Sequence, residues 1–158
     1  MHPKKYPLDP LVRLRRDRVD DSVKALSAAI QTREEAERLH AAALADRTRQ
    51  AEQAQRVRDA EANALGRGEI SVADLQRQGA WEARTQWEDQ EQALHVARAH
   101  EREAAARGGE GEARAGVAKA EADSKVVTKH RTDWAQERER AAEAAVEEGA
   151  AEAWRPRR

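Results

Sequence analysis

The side chains able to do chemistry are numerous in this sequence and poorly placed for it. Five histidines stand at His2, His40, His95, His100 and His130. No two are four residues apart, and His95 and His100, five apart, fall on different faces of a helix. No helical His pair is therefore set to grip a metal ion. The 30 Asp and Glu residues are spread along the whole chain. Two carboxylates act as acid and base only where a partly dry, concave pocket separates their pKa values, and a thin, alanine-rich helical protein is not expected to form one. Gly108, Gly109 and Gly111 are not followed by the Lys-Ser/Thr of a phosphate-binding loop. There is no nucleophile elbow and no cysteine. The expectation is a protein that is not an enzyme, with no cofactor and no metal site.

The composition says what kind of scaffold these residues ride on. Of the 158 residues 39% are apolar, but alanine supplies 35 of them, Val, Ile and Leu together only 21, and there is no Phe. That is too little bulky side chain for a thick globular core and enough for a seam between two or three helices. Ala, Glu, Arg, Gln and Leu, all strong helix formers, dominate, which favours a long-helix protein over its main competitor, a disordered chain. A net charge of −1 hides a dense mixture of both signs. No basic block points to nucleic acid. With no apolar run near the roughly 18 residues of a membrane span and no secretory leader, a soluble protein without direct membrane insertion is expected.

The element that organises the chain is the stretch from Leu65 to Leu75. Gly66 and Gly68 are placed to close a helix, Ser71 with Asp74 resembles a capping box, and Ile70 with Leu75 has the spacing of a hydrophobic staple. A helix stop and a helix start within one short loop predict a hairpin tip at 66–70. Before it, Asp9 as cap and Pro10 as first helical residue open a helix over 9–65, roughly 85 Å long at 1.5 Å per residue. Its expected seam is Val12, Val19, Val23, Leu26 and Ile30, continuing through Arg33, Glu37, His40 and Leu44 to Ala51 and Ala54.

After the tip, a return helix over 71–107 carries Ala80, Trp87, Leu94 and Ala97, with Trp81 and Val96 to the side. A glycine break is expected at 108–111, because each glycine costs about 1 kcal/mol relative to alanine in a helix. A C-terminal helix over 112–154 follows, with Val117, Ala120, Ser124, Val127, Arg131, Trp134, Arg138, Ala141 and Ala145 in heptad rhythm. The fold class is thus all-α: a long antiparallel two-helix coiled-coil hairpin with a glycine break in the return arm, forming a single coiled-coil domain over 1–158. Residues 1–8 are an N-terminal extension and 155–158 a tail. Facing residue numbers should sum to about 136, which leaves everything beyond about Lys129 overhanging.

Both ends of the chain resemble a known family. Tyr6-Pro7-Leu8-Asp9-Pro10-Leu11-Val12-Arg13-Leu14-Arg15, followed by Arg18-Val19-Asp20-Asp21 and Lys24-Ala25-Leu26, is similar to the opening of the FliJ/YscO family, the central stalk proteins of type III secretion systems. Lys129 to Glu143, with Glu147-Glu148 and Trp154 beyond, resembles that family's charged C-terminal helix. The likeness covers roughly residues 6–30 and 117–154, the middle matching only in being helical. Tyr6 stands where the family usually has Phe. The ending on Trp and Arg, where flagellar members have an acidic pair, leans toward the virulence branch and leaves the choice open.

The resemblance implies a cytoplasmic stalk at the inner-membrane secretion apparatus. Its terminal end would enter the hexameric export ATPase and promote its assembly and activity, while other surfaces contact the export gate protein and escort export chaperones. By position, Leu11, Leu14, Arg15, Arg18, Trp134, Arg138 and Arg140 fall at the ATPase-facing end. Ile70, Val72, Leu75 and Trp81 fall at the gate-facing end. For each set, seam packing of the apolar members and solvation of the arginines are the competing roles. Two other functions fit a helical hairpin of this composition: an escort chaperone that shelters client segments, and a stator-type coiled coil that pairs with another chain. A stalk is expected to be a monomer and a stator a dimer.

Overall fold

The computed structural model describes residues 5–154. The expected tail at 155–158, His2 and the start of the N-terminal extension lie outside the described residues. Two helices make up the architecture: α1, Asp9–Gly66, and α2, Val72–Ala153. They pack against each other as an antiparallel hairpin, with no strand among the described residues. Their contacts fall into two units, one of Ala28–Gly111, which holds the turn, and one of Met1–Ser27 with Glu112–Arg158.

The turn is built as its residue types dictate. Gly68 takes a φ of 71°, the left-handed conformation that costs other residues roughly 1–2 kcal/mol. Gly68 N–H donates to the Leu65 carbonyl and Glu69 N–H to the Ala64 carbonyl, both at 3.0 Å, the two bonds of a Schellman motif. Gly66, the other candidate for this role, remains helical. Restart is by a reciprocal capping box: Ser71 N–H donates to Asp74 Oδ2 at 2.9 Å, and Asp74 N–H donates to Ser71 Oγ at 3.2 Å. The shorter Asp thus does the work usually given to Glu. At the other end of α1 the Val12 N–H donates to the Leu8 carbonyl, so Leu8, one residue before the expected Asp9, occupies the cap position.

The expected glycine break is absent. Helix α2 runs without interruption through Gly108, Gly109 and Gly111. The low helix propensity of the glycines is offset by what stands between them: Glu110 is buried and pairs with Arg33 Nε at 2.5 Å, which ties this turn of α2 to α1. No atom outside the local helix lies within 4 Å of a Cβ added at 108 or 109. Gly108→Ala and Gly109→Ala should therefore each stabilise the protein by about 0.5–1 kcal/mol. Gly68→Ala should instead destabilise it by about 1 kcal/mol or more. Urea denaturation checks both signs, and a loss of stability at 108 or 109 would mean that the helix needs its glycines.

The seam keeps the expected heptad thread on α1 and shifts its companion thread by one residue. Within the terminal unit the shielded positions of α1 include Val12, Arg15, Val19, Ser22 and Leu26. Within the turn unit they include Ala29, Arg33, Ala36, His40, Ala43, Arg47, Ala54 and Val57. Ser22 and Ala43 thus replace the expected Val23 and Leu44, which are exposed. Small residues let two backbones approach closely, and the larger neighbours flank the contact instead.

On the return arm the correction is larger. Gln78, Trp81, Thr85, Glu88, Gln92, Val96 and Ala99 line the seam, whereas Trp87 and Leu94 are 61% and 55% exposed and Ala80 and Ala97 face outward. Apolar content does not set the register here, because the facing stretch of α1 is itself Ala-, Arg- and Gln-rich. Polar pairs join the arms in the observed register, with Arg47 Nε donating to Asp89 at 3.1 Å and His40 meeting Glu103 at 2.5 Å. Two four-residue steps in succession, Glu88 to Gln92 and Gln92 to Val96, are a local departure from the heptad. From Ala113 to Arg138 the shielded positions follow the expected C-terminal seam, except that Arg131 is exposed.

Candidate functional site

The residues expected to face an ATPase all lie in the terminal unit, and part of the set is drawn together by a residue outside it. Tyr6, just ahead of α1, is only 5% exposed. Its ring packs against Trp134 of α2, centroids 5.3 Å apart, and against His130 at 5.8 Å, while Tyr6 Oη and His130 Nδ1 share a hydrogen bond of 2.6 Å. Tilted aromatic pairs at this spacing are favourable beyond the area they bury. Pro7 and Pro10 fix the approach of this segment to the helix. The Arg138 guanidinium carbon sits 5.1 Å from the Trp134 ring centroid, within the range of a cation–π contact. Packing therefore continues well past Lys129, where the arm was expected to overhang. The uninterrupted run of exposed residues begins only at Glu139 and continues to Trp154.

Below this clasp, Arg15 donates to Asp123 Oδ2 at 2.7 Å and Arg131 approaches Asp9 at 3.5 Å. Arg15 thus acts as a bridge between the arms. Leu11 is half-buried, while Leu14, Arg18 and Arg140 face solvent. The structure therefore divides the set: Arg15 and Trp134 make contacts between the arms, and Leu14, Arg18 and Arg140 are exposed. At the turn, Ile70 and Trp81 are half-buried, whereas Val72 is 75% exposed and Leu75 is also exposed.

The turn unit carries the stronger electrostatics. Arg33 Nη1 donates to Glu37 Oε2 at 2.6 Å, and Arg107 reaches Glu37 Oε1 at 3.1 Å. These bonds, Arg33's first, hold the Glu37 carboxyl below its ordinary pKa, and hydrogen bonding from Arg47 does the same for Asp89. Asp74 is lowered mainly by the Ser71 hydroxyl and then by the Ser71 N–H. A carboxyl whose folded pKa is depressed adds stability that is present above its unfolded value of about 4 and disappears as pH falls through the folded value. The urea midpoint should therefore drop between about pH 5 and pH 3. Replacing Glu37, Asp74 and Asp89 together by their amides should flatten that drop, and an equally steep profile in the triple variant would contradict the assignment.

One open groove in this unit is lined by Ala29, Ala36, Leu39, Ala99 and Ala106 with Arg38, Arg98 and Arg102 at its rim. Glu35 is the one carboxylate and His95 the one histidine among its lining residues, so the groove holds no pair of carboxylates. The fold also assembles His40, His100 and Glu103, which spacing along a single helix could not reveal because His40 comes from the other arm. Among the described residues no helix is long and apolar enough to cross a membrane.

The described residues thus form a paired-helix protein, a hairpin in which the segment ahead of α1 packs through Tyr6 against His130 and Trp134 of α2. The chain belongs to the YscO-like family, whose model, described as YscO-like protein, matches residues 3–153. This membership associates it with type III secretion. No curated protein and no solved structure matches the chain.

Proposed function

We propose that the protein is a non-enzymatic central stalk of a type III secretion export apparatus, acting in the cytoplasm at the inner membrane. The observation that carries this reading is the family match over nearly the whole chain, across both helices. In this reading the terminal unit enters the hexameric export ATPase and promotes its assembly and activity. Leu11, Leu14, Arg18, Arg138 and Arg140 supply contact surface there, on a frame held by Tyr6, Arg15 and Trp134. The exposed Val72 and Leu75, with the half-buried Ile70 and Trp81, form the surface for the export gate protein. Export chaperones are further partners, and the protein acts as a monomer.

The test is the rate of ATP hydrolysis by the cognate ATPase with and without the chain. A stoichiometric rise that is lost in an Arg138→Ala/Arg140→Ala variant supports the stalk. No association and no change in rate contradicts it. Protection of an aggregating client without any ATPase would favour an escort chaperone, and a stable dimer in sedimentation a stator-type coiled coil.

A further inference from the structure

We propose that His40, His100 and Glu103 form a divalent transition-metal site that staples the two arms of the turn unit together. Helix α2 contributes His100 and Glu103, three residues apart and so on one face, while α1 contributes His40 from across the seam. One ligand atom from each residue lies within 4.8 Å of the other two. The two imidazole rings are 5.2 Å apart between centroids, and His40 Nδ1 is 2.5 Å from Glu103 Oε2.

The donor set names the ion. Two imidazoles and one carboxylate suit Zn²⁺ and similar borderline ions, whereas Mg²⁺ and Ca²⁺ seek all-oxygen surroundings. Four-coordinate Zn²⁺ with ligands at about 2.0–2.1 Å spaces its donor atoms roughly 3.3 Å apart. The cluster reaches that spacing by small side-chain movements: Glu103 Oε2 and His40 Nδ1 separate by under about an ångström, and the solvent-facing His100 swings inward. Arg107 Nη2 is bonded to Glu103 Oε1 at 2.6 Å, which orients the carboxylate and leaves Oε2 for the ion. The exposed side next to His100 leaves the fourth position for water.

The position of Glu103 is itself informative. It is among the most buried side chains of the protein and occupies a seam position, where a carboxylate is costly unless a cation or hydrogen bonds compensate it. His40 and Arg107 compensate it in the absence of metal, and a divalent ion does so while binding both arms at once.

The experiment is a titration of the untagged full-length chain with Co²⁺, followed by the visible d–d absorption, and with Zn²⁺ by calorimetry. One equivalent should bind, with the intense bands of four-coordinate cobalt. His100→Ala, at an exposed position that leaves the fold intact by circular dichroism, and Glu103→Gln should each weaken binding at least tenfold, since even the loss of an outer partner costs about 10–100-fold. His95→Ala, on another face of the same helix, should leave it unchanged. No binding at about 1 mM ion, wild-type affinity in the His100→Ala variant, or loss of binding in the His95→Ala variant would overturn the proposal.

Discussion

Tyr6→Ala should destabilise the terminal unit by about 3 kcal/mol, the low end of the range for deleting a buried aromatic, because the ring lies near the chain end. Three contacts go at once: the Trp134 ring, the His130 ring and the hydrogen bond to His130 Nδ1. With the ring gone, the segment before α1 loses these contacts to α2, and Trp134 loses a ring that packs against it. Tyr6→Phe keeps both ring contacts and gives up only the hydroxyl, so its cost should be near 1 kcal/mol. Hydrogen exchange separates the two: amides in the first turns of α1 and around 127–138 should exchange much faster in the alanine variant and nearly as in wild type in the phenylalanine variant. If the proposed stalk end is correct, Tyr6→Ala should also lower stimulation of the ATPase more than Tyr6→Phe does. Equal protection in all three proteins would show that the clasp does not hold the terminal unit.

The second large effect concerns the turn unit. Ala43 is 2% exposed and Leu44 45% exposed, so Ala43→Asp places a carboxylate at a buried position of the seam. An uncompensated charge in such a place costs about 3 kcal/mol or more. The same change at Leu44 falls on the flank and should stay within about 1 kcal/mol. Since a heptad drawn through the bulky residues puts Leu44 inside, the pair of variants reads the register directly. Urea unfolding followed by far-ultraviolet circular dichroism is sufficient. A larger loss at Leu44 than at Ala43 would restore the register that side-chain size alone suggests.

The hairpin turn was legible because its signals are local and concordant: a glycine at the one left-handed position, then Ser71 and Asp74 capping each other. The C-terminal seam was legible because Val117, Val127 and Trp134 are spaced apolar residues among polar ones. On the return arm the large residues misled. Trp87 and Leu94 carry the apolar rhythm, yet the face that meets α1 is the one that brings Asp89 to Arg47 and Glu103 to His40. Such pairs join residues 42 and 63 positions apart, so no local pattern announces them. The continuity through Gly108–Gly111 escaped for the same reason, as the Arg33–Glu110 bridge that braces it spans the two arms.

Of the candidate site, the motif at each end was visible in the sequence. Their union through Tyr6 was not, because a single tyrosine ahead of a helix gives no sign of what it will pack against. The arginines that the chain ends share therefore divide only in three dimensions, Arg15 spanning the arms and Arg140 standing in solvent.

A photo-crosslinking amino acid placed at Arg140 in one preparation of the protein and at Val72 in another, each mixed with the cognate hexameric ATPase, tests the stalk reading most directly. An ATPase adduct is expected from position 140 and none from position 72. An adduct from 72 with none from 140 would contradict that reading.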